Sequence, residues 1–307
     1  MKYLLPWGLL FPFCLSQCTC PADFRAVPKP QVQTVAQANA LSSCEIKHYG
    51  TTLLAETGCP DVARALLKRG AQPNGTLIRN GKAESGTALM YNTDTEITSM
   101  LLAAGANPAM TCGDEGYTPL CAAARHGNTA TLALMLNAQA VPDTTDAEGV
   151  TPLYLAARFL HHDCCALLLS KGANVNAQNP ANGATPIHAA LRATGDTATK
   201  CTLARMLLLA GANPQQGDAD GITPMHLAPA ELIPTLLAAG GSVHARDHQG
   251  RTPLFYCTTI AQAEALLRAG AAINVRDNLG NTPFDVLTNA HVKSMLLARG
   301  ATSNHPI

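Results

Sequence analysis

Aromatic side chains are scarce in this chain, 4% of 307 residues with a single tryptophan. A large globular core built around rings is therefore excluded, and the buried surface must come from thinner layers. Charge of one sign is equally lacking: 21 Lys and Arg stand against 21 Asp and Glu. That balance leaves no overall field to gather phosphates or an anionic membrane, so nucleic acid is not an expected partner. Long apolar runs are missing too, since the stretch from Tyr3 to Leu15 is too short to span a bilayer. No G-x-S-x-G, H-E-x-x-H, Walker-type loop or dinucleotide glycine fingerprint occurs. The chain has no visible catalytic centre, implies no cofactor, and reads as a non-enzyme.

What is present is repetition. Thr-Pro recurs at Thr118, Thr151, Thr185, Thr223, Thr252 and Thr282, with a degenerate Thr87-Ala88-Leu89 upstream. The successive spacings from Thr87 are 31, 33, 34, 38, 29 and 30. A helix-ending Gly-Ala keeps step at Gly70, Gly105, Gly172, Gly211, Gly270 and Gly300, with Gln139-Ala140 and Gly240-Gly241 as substitutes. Each Thr can cap a helix whose first residue is Pro, where the missing N–H costs nothing. Each Gly can take the left-handed conformation that closes a second helix. Two landmarks sharing one period near 33 predict stacked helix pairs that bury their apolar faces against one another.

The strings TPLCAA, TPLYLA, TPIHAA, TPMHLA, TPLFYC and TPFDVL carry a family resemblance. Over Thr51 to about Asn304 the chain resembles the ankyrin repeat proteins, which implies an α-solenoid of about eight repeats with finger loops. The expected division is a signal peptide at 1–17, a capping segment at 18–48 and the repeat domain at 49–304. Between Thr and closing Gly the second, sixth, seventh and eighth units are short, which predicts a clipped helix or inter-helix loop. The fifth is long, which predicts an enlarged loop over Ala193–Lys200. The first finger carries about five extra residues and two Asn-Gly pairs, a turn-rich protrusion.

The resemblance implies a non-enzymatic module that binds another protein on its concave face, where fingers and first helices meet. Seven places after the Thr stand Arg125, Arg158 and Arg192 in consecutive repeats, a row suited to an acidic segment of a partner. Tyr117, Phe159 and Tyr256 are candidate aromatic anchors. His188 and His226 fill the fourth place of TPIH and TPMH, where the family's His bonds adjacent repeats, so they read as structural. Cys121, Tyr154, Phe255 and Asp285 replace that His elsewhere and predict a weaker network. His161-His162-Asp163-Cys164-Cys165 contains metal-ligand types, but its register puts the histidines in a turn and the cysteines in packing positions. No metal site is expected.

Lys2 followed by the apolar run reads as a secretory signal, which places the mature protein in the bacterial periplasm or outer envelope, with secretion as the alternative. Leu15-Ser16-Gln17-Cys18 is similar to a lipobox and makes Cys18 a candidate lipid anchor. In an oxidising compartment Cys44 and Cys59 are the first candidates for a disulfide pinning the cap to the first repeat. A monomer is expected. A scaffold and an inhibitor of a toxic enzyme, such as an immunity protein, remain alternatives for its role, as does a secreted effector aimed at a host protein. A eukaryotic lumenal protein would make Asn74-Gly75-Thr76 a glycan acceptor.

Overall fold

The computed structural model describes residues 30–79, 82–85, 87–110 and 116–304. The expected signal peptide and the candidate lipid anchor Cys18 lie outside them. Among the described residues eight helix pairs follow one another. The first is α2 (Ser43–Glu56) with α3 (Pro60–Lys68), and the second is α4 (Ala88–Tyr91) with α5 (Thr95–Ala103). Next come α6 (Pro119–His126) with α7 (Thr129–Asn137), α8 (Pro152–Arg158) with α9 (His162–Ser170), and α10 (Pro186–Arg192) with α11 (Thr197–Leu209). The last three are α12 (Pro224–Leu227) with α13 (Ile233–Ala238), the 3₁₀ turn Pro253–Tyr256 with α14 (Ile260–Arg268), and α15 (Pro283–Val286) with α16 (Ala290–Ala298).

First helices touch first helices all along the row, from α2 against α4 to the 3₁₀ turn against α15. Second helices form a parallel layer, with α3 on α5, α5 on α7, α7 on α9 and α14 on α16. Ala and Leu fill the space between the layers, as at Ala156, Ala157 and Leu168, all fully buried. No helix among the described residues is long and apolar enough to cross a membrane.

The short repeats lose their first helix: α4, α12, the 3₁₀ turn and α15 are single turns of four residues. At two of them a carbonyl past the clipped turn is taken by an amide of the next repeat: Gln262 Nε2 donates to Ala228 O at 2.8 Å and Asn289 Nδ2 to Thr258 O at 2.9 Å. Asn92 Nδ2 likewise reaches Leu54 O, near the end of the longer α2, at 3.0 Å. The fifth repeat corrects the expected loop, because Thr197–Lys200 is the first turn of α11. Asp196 caps it, accepting from Thr199 N at 2.8 Å, and so turns half of a polar stretch into helix.

The N-terminal end also differs from expectation. A short helix α1 (Val35–Ala40) covers α3, and Ser42 then caps α2, which runs without a break to Glu56. Residues 48 and 49, the expected border between cap and repeats, both lie inside α2. Its continuity overturns the Cys44–Cys59 disulfide. Twelve helical steps from Cys44 to Glu56 cover about 18 Å, and three further residues can recover at most about 10 Å. The remaining gap exceeds the roughly 7 Å limit for a bridge, and Cys59 carries a free thiol.

The long first finger is an antiparallel hairpin, β1 (Thr76–Arg79) with β2 (Lys82–Ser85), pairing Thr76 with Ser85. At its base Asn74 Nδ2 donates to Gly105 O at 2.7 Å and Asn74 Oδ1 accepts from Asn107 N at 2.8 Å. That side chain ties two fingers together, and a glycan on it would disturb the tie.

The core is not continuous. One buried cluster spans Ala38 to Ala106 and another Leu120 to Ala301, with Leu102 packing against both. The division falls where single-turn α4 meets full-length α6, and a groove of ≈360 Å³ between Leu89, Tyr91, Pro119 and His126 marks the step.

Second helices close on left-handed residues, and at one closure the residue is not glycine. Gln139 has φ +63° and is exposed, while Ala140 N bonds Met135 O at 3.1 Å as in the glycine-closed repeats. A Cβ is disfavoured there. Gln139→Gly should therefore stabilise the protein by about 1 kcal/mol, read as a higher urea midpoint with an unchanged slope.

Candidate partner-binding face

Two turn devices place the first helices from α8 onward. The first lies five residues before the Thr. Asp146 Oδ1 accepts from Glu148 N (3.0 Å) and Val150 N (2.8 Å), and Asp218, Asp247 and Asp277 repeat the pattern ahead of Thr223, Thr252 and Thr282. These aspartates are buried, with side-chain oxygens closing the finger turn over a glycine of positive φ such as Gly221. The sequence carries their signal as D-x-x-G-x-T, which the Thr-Pro reading alone passed over. At the same offset before Thr185 stands Pro180, and Asn179 accepts from Ala181 N instead.

The second device is the His of TPIH and TPMH. His188 Nδ1 accepts from Thr185 N (3.2 Å) and meets the Thr185 hydroxyl at 2.8 Å. That leaves Nε2 to donate to Ile222 O of the next repeat at 2.8 Å. His226 does the same with Thr223 and Arg251 O. Burial, helped at His188 by the nearby Arg192 charge, lowers both pKa values and keeps both rings neutral.

The substitutes behave differently from one another. Asp285 accepts from Thr282 N and hydroxyl and from Ser303 Oγ, so it closes its own network. Burial pushes its carboxyl up, but these donors together outweigh burial and hold it well below the usual range. Cys121 donates to Thr144 O at 3.4 Å, and burial pushes its thiol up to about 11. Phe255 offers nothing, and among the described residues the buried Thr252 hydroxyl finds no partner. Thr252→Val should therefore be neutral or stabilising by up to about 1 kcal/mol, while Thr223→Val, which breaks a made bond, should cost about 1–2 kcal/mol. Parallel thermal melts compare the two.

His161 and His162 join repeats as well. His161 Nε2 bonds Arg125 O behind it at 3.0 Å, and His162 Nε2 bonds Thr199 O ahead at 3.2 Å. Gly127 lies under the His161 ring, where a Cβ would stand 2.6 Å from Nδ1. Cys164 and Cys165 are fully buried, and burial raises both thiol pKa values. Among the described residues no group of three or more His, Cys, Asp or Glu could hold a metal ion.

The three arginines end α6, α8 and α10, successive members of the first-helix row. They are not equivalent. Arg192 Nη2 pairs with Asp218 Oδ2 at 2.5 Å. Burial pushes the Asp218 carboxyl up, and hydrogen bonds from Arg192, Asp220 N and Ile222 N outweigh it and hold it low. Arg125 lies between two rings, 5.2 Å from the centroid of Tyr117 and 5.7 Å from that of Phe159. Phe159 in turn stacks on His161 at 6.3 Å. Arg158 is exposed and has no ion-pair or hydrogen-bond partner among the described residues. The reason is in the next finger, where Pro180 stands at the offset that holds Asp218 for Arg192.

The six expected residues thus separate. Tyr117, Arg125, Arg158 and Phe159 form one surface, with Phe159 43% exposed. Arg192 and Tyr256 are committed to the fold. The Tyr256 hydroxyl donates to Asp247 Oδ2, and its ring meets His226 edge-on at 5.5 Å, several repeats from Phe159.

Models of ankyrin repeats match residues 86–179 and, overlapping them, 161–199. The chain has the ankyrin-repeat fold. Its ankyrin repeats superpose on those of the crystal structure of the human ASB11 ankyrin repeat domain with a TM-score of 0.60 and 22% identity, over 68% of this chain and 95% of that one. They are 30% identical over 167 residues to the Nuclear factor NF-kappa-B p105 subunit of Gallus gallus, covering 52% of this chain and 16% of that protein. They are also 30% identical over 194 residues to the human SH3 and multiple ankyrin repeat domains protein 2, covering 61% of this chain and 10% of that one. The chain spans less than a fifth of either curated relative. Ankyrin repeats are protein–protein interaction modules, and the face just described is built from their first helices.

Proposed function

We propose that the chain is a non-enzymatic module that grips an acidic segment of another protein through Arg158, Phe159 and the Arg125–Tyr117 stack. One observation carries this reading. Among the described residues Arg158 is a cation without a carboxylate partner, beside an exposed ring, in the row whose neighbours are held by rings or by Asp218. Arg125 held between two rings is partly pre-ordered, which reduces the entropy lost when an anionic segment docks.

Within this reading the mature protein is an exported monomer of the bacterial periplasm or outer envelope, acting as an inhibitor of a toxic enzyme. Support for export is the Lys2 and Tyr3–Leu15 pattern of the sequence. The free thiols suit an oxidising compartment, because Cys121, Cys164, Cys165, Cys201 and Cys257 are all buried and thiolate formation is opposed. Cys59, also free, is half-buried.

The test is affinity capture by the mature protein from an envelope extract, followed by activity assay of the captured protein with and without an equimolar amount of the chain. Stoichiometric capture with loss of activity is expected. Capture of an active protein would leave a scaffold and reject the inhibitor. Retention of nothing from the envelope, with capture of a host protein instead, would replace the role by that of a secreted effector.

A further inference from the structure

The fingers of the sixth to eighth repeats share a staple that the sequence reading did not single out. Six residues before the Thr, Arg246 donates from Nη1 to Gly250 O of its own finger (2.8 Å) and to Arg276 O of the next (3.1 Å). Arg276 repeats it, donating to Gly280 O at 3.1 Å and to Asn304 Oδ1. Each guanidinium thus fills the cleft between two successive fingers. Two fingers before that of Arg246 the donor to the corresponding carbonyl, Gly183 O, is Gln178 Nε2 at 3.2 Å.

Between those fingers the series is interrupted. At the arginine offset before Thr223 stands Gly217, which has no side chain to offer. The corresponding acceptors are Gly221 O and Arg246 O, and among the described residues no donor reaches either. The space the side chain would occupy is an open cleft of ≈560 Å³, lined by Gly217, Gly221, Asp218, His244, Arg246 and His248. Its rigid frame is already in place, since His248 N bonds Asp220 O at 2.8 Å across the two fingers. Arg246 lends the cleft its carbonyl, while its own guanidinium leaves for the following one. At Gly149 the equivalent approach is covered by the Pro180 ring, whose Cγ would lie 2.7 Å from an added Cβ.

We propose that this cleft is a socket for an arginine side chain of a partner protein, which docks as Arg246 and Arg276 dock in the next two clefts. The argument is one of matched geometry. The carbonyl two residues before the Thr is taken from within by Arg246, which also reaches Arg276 O of the next finger, and by Arg276, which also reaches the Asn304 side chain, whereas Gly221 O and Arg246 O are left to an outside donor. Carbonyls that line an open cleft and receive no donor from the chain can accept from an outside one, and a fork of N–H groups is the complementary ligand. A lysine presents its donors from a point and fits a planar slot less well. The inference depends on the protein-binding reading only for what carries the arginine, and its test does not.

The probe is the tripeptide acetyl-Gly-Arg-Gly-amide, titrated into the full chain at about pH 8 and followed by backbone amide NMR, with the lysine tripeptide alongside. Saturable shifts are expected at Gly217, Gly221, Arg246 and His248, with affinity several-fold weaker for lysine. Gly217→Arg supplies the missing staple and should abolish them. An added Cβ at Gly217 meets Gly221 Cα at 3.0 Å, so a second variant guards against misfolding. Arg246→Ala empties the neighbouring cleft and should add a second set of shifts at Gly250 and Arg276. No saturable shifts, equal response to lysine, undiminished shifts in a folded Gly217→Arg protein, or no second set in Arg246→Ala would each overturn the socket.

Discussion

His188→Ala should lower the free energy of unfolding by about 3–5 kcal/mol, a large share of the stability of an ordinary domain. The ring is fully buried and holds three groups at once: the Thr185 N–H, the Thr185 hydroxyl and the Ile222 carbonyl. Truncation leaves all three without their partner and opens a cavity between the fifth and sixth repeats. The same ring sets an acid limit. Its folded pKa lies below the ordinary 6.5, as does that of His226. The stability tied to the neutral rings is therefore complete above pH 6.5 and is lost as the pH falls below it, because only the unfolded chain takes up the protons. Lowered carboxyls at Asp218, Asp277 and Asp285 act later, below about pH 3.8. Urea unfolding of the wild type should show a falling midpoint from pH 6.5 downward, and a His188→Ala, His226→Ala double variant should be flatter there. An equally steep fall in the double variant would assign acid sensitivity elsewhere.

The second large effect separates the arginines. Arg158→Glu should leave stability within about 0.5 kcal/mol, since the side chain is exposed and unpaired, and should weaken capture of an acidic partner by about 10–100-fold. Phe159→Ala should add to the loss through its exposed ring. Arg192→Ala should do the reverse. It strands the Asp218 carboxylate, whose side chain is only 3% exposed, and should cost about 2–3 kcal/mol of stability. Titration calorimetry with the captured partner and thermal melts of the three variants give the two readouts. A destabilised Arg158→Glu, or an Arg192→Ala as stable as wild type, would contradict the division.

The Thr-Pro and Gly-Ala spacing was enough to read eight units, because caps and left-handed closures are local features that recur once per brick. That the short units lose a helical turn or loop was legible for the same reason, since a missing turn shortens the count between the two landmarks, but which helix is clipped was not. The arginine row was legible as a row, but its division was not. Arg192 is taken by Asp218, five residues before the following Thr, and Pro180 occupies that same place before the Thr that follows Arg158. The D-x-x-G-x-T turn stood in the sequence throughout and marks the Asp that takes Arg192, but the same turn at Asp146 goes with an Arg125 that lies against the rings of Tyr117 and Phe159. The Cys44–Cys59 pairing failed because it assumed a separate capping segment, whereas the Ser42 cap starts α2 eight residues upstream of Asn-free, Pro-free Gly50-Thr51 and the helix runs through. The break between two cores was invisible in the repeat count, which runs evenly across it.

The central claim is that the surface around Arg158 is where another protein sits. Hydrogen–deuterium exchange of the chain alone and with its captured partner tests it most directly. Protection confined to the first-helix ends and fingers around Tyr117–Arg125 and Arg158–Phe159, with α7 and α9 unchanged, is the predicted footprint. Protection centred on the second-helix layer, with peptides around Arg158 exchanging as in the free chain, would contradict it.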